Sequence, residues 1–144
     1  MRVIPLGGVG EIGKNMMAIE QDNDIVIVDA GLMFPDEQML GIDIVIPDIR
    51  YLRERKDKVR GILITHAHED HIGALPYVLR DFPNVPIHGT KLSLGLIKTK
   101  LREHKLAERT VFREIEPGSP FSIGAFRCDS YYVCHSIQIG RAHV

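Results

Sequence analysis

Ile62-Leu63-Ile64-Thr65-His66-Ala67-His68-Glu69-Asp70-His71-Ile72-Gly73 is the stretch whose reading decides the fold. An apolar, β-branched run gives way to three histidines and the carboxylate of Asp70 within six positions. Imidazole nitrogen and carboxylate oxygen are the donors that zinc and similar borderline metals take. Residues 59–65 read as a strand that carries this cluster to the edge of a sheet. In an extended segment His66 and His68 project to the same side and can hold one ion. A helix starting near Asp70 would turn Asp70 and His71 toward a second ion. A solvated histidine-rich turn is the plainer alternative. Four donors at this spacing, fed by a buried strand, favour metal.

The remaining composition narrows the class. At 144 residues the chain has material for one modest domain and not two. A hydrophobic content of 44% with a net charge of −1 describes an ordinary globular protein. Near-neutral charge also argues against a segment that grips nucleic acid unaided. No apolar run reaches the length of a membrane span, and the N-terminus lacks a signal-peptide layout, so a cytoplasmic location is expected. Cys128 and Cys134 fall on one face of a single predicted strand, 126–134, where they cannot easily bridge; reduced thiols are expected.

Upstream, residues 2–6 read as a first strand that enters the glycine-rich stretch 7–13. Gly8, Gly10 and Gly13 satisfy a dinucleotide-binding spacing, and with Lys14 they approach a phosphate loop. Either reading needs a helix next, whereas residues 15–20 are short and followed by the turn Asp22-Asn23-Asp24. A hairpin with strands at 15–20 and 25–29 fits better. The glycines are then expected to let the loop pass close to the metal site. Ile25-Val26-Ile27-Val28 should be buried on both faces and ends in Asp29. That carboxylate either forms a turn or orients a ligating histidine or the metal loop. Residues 32–48 form a long link, and a short helix opens at Asp48.

Downstream, Ile72, Leu75, Val78, Leu79 and Phe82 share a helical face, with Pro76 tolerated in the first turn. A short strand follows at 85–89, in which His88 is expected to be structural. The helix 92–101 should bury Leu92, Leu96 and Ile97. Its charged continuation carries Lys98, Lys100, Arg102 and Lys105, which read as a wet face rather than a phosphate grip. Strands are expected at 110–115, 121–123 and 126–134, the last delivering His135. His135 is either a third ligand of the first ion or a satisfied core histidine.

Several runs together resemble the ribonuclease J family, of the β-CASP branch of the metallo-β-lactamase superfamily. They are Gly7-Gly8-Val9-Gly10-Glu11-Ile12-Gly13-Lys14-Asn15-Met16, Asp29-Ala30-Gly31-Leu32-Met33-Phe34-Pro35, Met39-Leu40-Gly41-Ile42-Asp43, residues 65–77, and Cys134-His135-Ser136-Ile137. The resemblance implies an α/β fold, the N-terminal half of a four-layer αββα sandwich over residues 1–137. It implies a metal-dependent ribonuclease acting as a 5′-3′ exonuclease and endonuclease in RNA maturation and decay. RNA would be the partner, no membrane is involved, and the full-length protein would be a homo-oligomer. Two zinc ions are implied, with manganese or magnesium as alternatives. His66, His68 and His135 would hold one ion and Asp70 and His71 the other, Asp70 also orienting water or taking its proton. After Ile137 the family pattern stops. Residues 138–144 read as a non-native tail resembling a translated sequencing adapter, so His143 is not counted as a ligand. The N-terminal portion alone is expected to be inactive and to leave one sheet face open. A metallo-hydrolase of a small ester or thioester, and a nucleotide-binding module built on Gly8–Gly13, are the rival readings.

Overall fold

The computed structural model describes residues 1–37 and 39–135. The expectations attached to Ser136, Ile137, the tail 138–144 and His143 lie outside those residues. Six strands form one mixed sheet in the order β1 (Arg2–Gly7), β2 (Met16–Gln21), β3 (Asp24–Val28), β4 (Val59–Leu63), β5 (Ile87–Gly89) and β6 (Phe112–Glu114). The first three run antiparallel as a meander, and β3 to β6 run parallel. Four helices bridge the parallel strands: α1 (Arg50–Arg53), α2 (Glu69–Ile72), α3 (Leu75–Asp81) and α4 (Lys91–Glu103). A separate hairpin, β7 (Phe121–Ile123) with β8 (Phe126–Cys128), completes the described fold. Among the described residues no helix is long and apolar enough to cross a membrane.

Alternation along each strand sorts side chains between two layers. Ala18, Ile25, Ile27, Ile62, Ile64 and Ile87 form one buried cluster with Leu52, Ile72, Leu75, Val78, Ile97 and Leu101 of the helices. All four helices therefore cover one face, as successive right-handed crossovers between adjacent parallel strands require. The opposite face carries Val26, Gly61 and His88, with Ile123 of the hairpin packed over Gly61. His88 is buried there with its ring stacked on Phe121, and burial followed by the Arg113 charge lowers its pKa. Farther out, at β1 and β2, this face is open: Val3 is 54% and Met17 36% exposed. Pro5 sits on the edge strand β1, where a missing N–H does least harm, next to a register shift before Gly7.

Four local expectations need correction. The helix expected from Ile72 to Phe82 breaks at Gly73–Ala74, since Pro76 would drive its ring into the Ile72 carbonyl one turn back. Helix α4 buries Leu94, Ile97 and Leu101 instead of Leu92 and Leu96, which stay exposed. Helix α1 starts after Ile49, although Asp48 still accepts the Arg50 N–H at 2.9 Å. The strand expected at 126–134 ends at Cys128. Its partner β7 begins right after Pro120, which has no N–H to extend the ladder. Cys134 therefore shares no strand with Cys128, and both thiols are free.

One buried carboxylate ties the meander to the helical layer. Glu20 on β2 is 5% exposed and accepts from Arg2 and from the Tyr51 hydroxyl, with Lys58 nearby. Tyr51 and then Arg2, opposed by burial and aided by Lys58, hold its pKa below the usual glutamate value of 4.5. A depressed acid pKa stabilises the fold above the unfolded value, and the gain disappears as pH falls through the folded value. Glu20→Gln is therefore expected to be less stable than the parent at neutral pH, the difference closing as pH drops below about 4.5. Urea unfolding of both proteins from neutral pH to about pH 3 checks this, and a gap that stays constant would contradict it.

Candidate metal centre

The centre is built where β4 ends. Its backbone passes through Ile64 and Thr65, and His68, extended at φ −77° and ψ 153°, caps the one-turn helix α2. Such a short helix does not stand alone, because nucleation costs more than one turn returns. Here its carbonyls accept N–H groups from elsewhere in the chain, and those of Asp70 and His71 would be orphaned without them. Leu32 donates to Glu69 at 3.1 Å, Asn15 to Asp70 at 3.0 Å and Ala30 to His71 at 2.7 Å. Segment 29–32 and the end of the glycine-rich loop thus fix the position of the metal motif.

Asp29 is 5% exposed and left-handed, at φ 59°, a conformation that aspartate tolerates better than most side chains. Its Oδ1 accepts the Thr65 N–H at 2.8 Å. Its Oδ2 accepts the Thr65 hydroxyl at 2.8 Å and faces His71 Nδ1 at 2.7 Å. Thr65 Oγ1 also lies 3.0 Å from His66 Nδ1. A carboxylate only accepts, so the hydroxyl gives its proton to Asp29 and receives one from His66 Nδ1–H. This network assigns the proton of both imidazoles to Nδ1 and turns the Nε2 lone pairs toward the site.

Three ring nitrogens then converge. His66 Nε2 is 2.9 Å from His68 Nδ1, and His135 Nε2 is 2.9 Å from the former and 3.0 Å from the latter. Burial, then the neighbouring charges of His71, His135 and His68, pushes the His66 pKa down to about 4, so this ring is neutral at physiological pH. Tetrahedral zinc with bonds of roughly 2.0–2.1 Å would set its nitrogens about 3.3 Å apart. The observed triangle is a few tenths tighter, and imidazole nitrogens are donors that a divalent ion takes. The residues fit such an ion. Among the described residues this is also the triad whose ligand atoms cluster as a metal site requires.

Asp70 and His71 form an adjoining pair, with His71 Nε2 3.5 Å from Asp70 Oδ2. Burial pulls the His71 pKa down, but the Asp29 hydrogen bond and the charges of Asp29 and Asp70 outweigh it and raise the value. An open cleft of about 460 Å³ lies alongside, lined by Ile12, Gly13, Leu32, Met33, Phe34, Glu69 and Asp70.

The structure brings His66, His68 and His135 together and sets Asp70, His71 and Asp29 beside them. His135 arrives on the irregular segment 129–135 and not at the end of a strand. The glycine loop does not line the histidine triad. Gly8 packs on Asn15 and Gly13 on Met33, while Gly10 has open space around it. A strand, β2, follows that loop, so the helix that a nucleotide-binding loop needs is absent. Lys100 is committed to Glu69 through contacts of 2.9 and 3.0 Å, and Lys98 lies over the Phe112 ring, leaving Arg102 and Lys105 at the surface. Sequence reasoning missed Thr65 and Asn15. Thr65 was detectable as the hydroxyl directly before the first histidine, and Asn15 carried no local signal.

Comparison with known proteins gives a consistent picture. The family model described as metallo-beta-lactamase superfamily matches residues 9–126. Ribonuclease J of Helicobacter pylori (strain ATCC 700392 / 26695) is 49% identical over 138 residues, 95% of this chain and 20% of that protein. Ribonuclease J2 of Bacillus subtilis (strain 168) is 48% identical over 137 residues, 95% of this chain and 24% of that protein. The chain thus spans about a fifth to a quarter of the length of these relatives. Among solved structures, zinc-bound PqqB from Methylobacterium extorquens aligns with a TM-score of 0.56 at 11% identity, covering 84% of this chain and 43% of that one. The flavodiiron protein from Giardia intestinalis aligns at 0.52 and 18%, covering 79% and 25%. At these identities the structural matches speak for the fold alone.

Proposed function

The chain belongs to the metallo-β-lactamase superfamily, and from that premise we propose that it forms the metal-binding part of a ribonuclease of the ribonuclease J kind. The observation that carries this reading is the closure of His66, His68 and His135 to within 3.0 Å beside Asp70 and His71. It occurs in a chain nearly half identical to ribonuclease J over 95% of its length. Divalent ions bound here would supply Lewis acidity, activating water and neutralising charge on a phosphodiester. His66, His68 and His135 would hold one ion, and Asp70 and His71 the other. Asp29 and Thr65 keep the Nε2 atoms of His66 and His71 turned inward. The Asp70 carboxylate faces the cleft and is placed to orient a water or take its proton. We propose zinc as the resident ion, with manganese as a workable substitute.

The chain by itself is expected to be inactive on RNA. Its net charge of −1 offers little attraction for phosphate, and among the described residues only Asp70 and His71 meet at the second locus. Joined to the remainder of the Helicobacter pylori relative in place of the matching stretch, it should cleave 5′-monophosphorylated RNA with manganese or zinc. Asp70→Ala or His71→Ala in that chimera should reduce cleavage to background. A time course on labelled RNA decides the matter, and cleavage that survives His71→Ala would sink the proposed mechanism.

A further inference from the structure

The glycine-rich loop ends in Asn15, a residue to which neither its nucleotide-loop spacing nor the metal-ligand assignment gives a role. Three hydrogen bonds run from Asn15 to one residue of the motif. Its main-chain N–H and its side-chain Nδ2 both donate to the Asp70 carbonyl at 3.0 Å, and Nδ2 also donates to Asp70 Oδ2 at 3.0 Å. The Asn15 carbonyl in turn accepts the Gly31 N–H at 2.9 Å, which joins the loop to segment 29–32. A carboxamide nitrogen has two hydrogens, and Asp70 takes both. His71 Nε2 lies 3.2 Å from the same nitrogen. Both amide hydrogens are thus directed at Asp70 and neither at that imidazole. The amide claims Oδ2 of Asp70 and sets the plane of the carboxylate relative to His71.

We propose that Asn15 is the positioning residue of the second ion locus, fixing the orientation of the Asp70 carboxylate against His71 without itself touching an ion. The inference rests on the metal reading above. It assigns the glycine-rich loop a task in the metal centre, namely to end in a donor pair at the carboxylate. The main-chain bonds of Asn15 do not depend on its side chain and are available to leucine or aspartate, so loop attachment and carboxylate orientation can be separated experimentally.

The test uses the chain loaded with about one equivalent of zinc and then titrated with manganese, free ion being followed by electron paramagnetic resonance. The parent should show a second, weaker class of site that takes manganese. Asn15→Leu, similar in size but without donors, should weaken that class about 10- to 100-fold, the usual loss when a group that orients a ligand is removed. Zinc uptake and the melting temperature of the zinc form should stay unchanged. Asn15→Asp keeps the shape but replaces donors with a carboxylate beside Asp70. It should destabilise the metal-free chain and tighten manganese binding. The proposal is overturned by a parent without a second class, by unchanged manganese affinity in both variants, or by parallel loss of zinc and manganese, which would mark a structural role. Absence of the first zinc equivalent in the parent would overturn the wider metal reading as well, so the two failures are distinguishable.

Discussion

Replacing His66 and His68 together by alanine is expected to take zinc binding from about one ion per chain to none. The pair supplies two corners of a triangle whose edges are 2.9–3.0 Å, and His135 is then left as a single imidazole on an exposed, irregular segment. One such ligand cannot compete with water for a divalent ion, whereas three converging ones, with His66 oriented by Thr65, can. Neither ring is buried core, so folding should survive, and circular dichroism provides the control. His135→Ala alone should weaken zinc without abolishing it, because the two better-held donors remain. Metal analysis after dialysis, together with calorimetric titration, separates the three proteins. Undiminished zinc in the double variant would remove the basis on which the organising stretch was read.

Much of the fold was legible because local and global preferences coincide. The continuous apolar run at Ile25–Val28 and the stretch leading to Thr65 could only be strands covered on both faces, and both are central in the sheet. Boundaries were less legible wherever pairing decides them. Nothing within residues 126–134 says that β8 must stop at Cys128; the limit comes from Pro120, opposite it in the hairpin. The buried stripe of α4 was misjudged for a related reason. Leu92 and Leu94 are equally apolar in sequence, and only the placement of β5 and β6 beneath the helix selects Leu94.

The candidate site divides in the same way. His66, His68, Asp70 and His71 lie within one short run, so their meeting needed little more than a strand followed by a turn. His135 could be placed only by resemblance, since its approach depends on a segment with no regular structure. Asn15 lies 55 residues from Asp70, and spacing carries no information about a contact of that kind. Its role emerges once the hairpin of β1 and β2 sets the glycine-rich loop against segment 29–32.

Gly31→Ala should be far more damaging than Gly10→Ala, the reverse of what a glycine-rich loop lining the metal site would give. A Cβ on Gly31 would stand 1.6 Å from the Asp70 carbonyl oxygen and 2.9 Å from the Asn15 nitrogen. Relief requires segment 29–32 to move away from α2, yet three donors hold it there: Ala30 to His71, Leu32 to Glu69 and Gly31 to Asn15. Moving it also separates the Asp29 carboxylate from His71 and Thr65, so the lone pairs of His66 and His71 lose their orientation. A cost of about 3 kcal/mol or more is expected from overpacking against rigid backbone, a large share of the roughly 5–15 kcal/mol that holds a domain folded. Gly10 sits at φ +73°, and a methyl group there would meet no atom within 4 Å, so alanine brings only the strain of left-handed backbone. That cost is about 1 kcal/mol, with zinc binding untouched. Urea midpoints and zinc content of the two soluble variants provide the comparison. If Gly31→Ala folds with full zinc occupancy, the tight approach of segment 29–32 to the metal motif cannot be what builds the site.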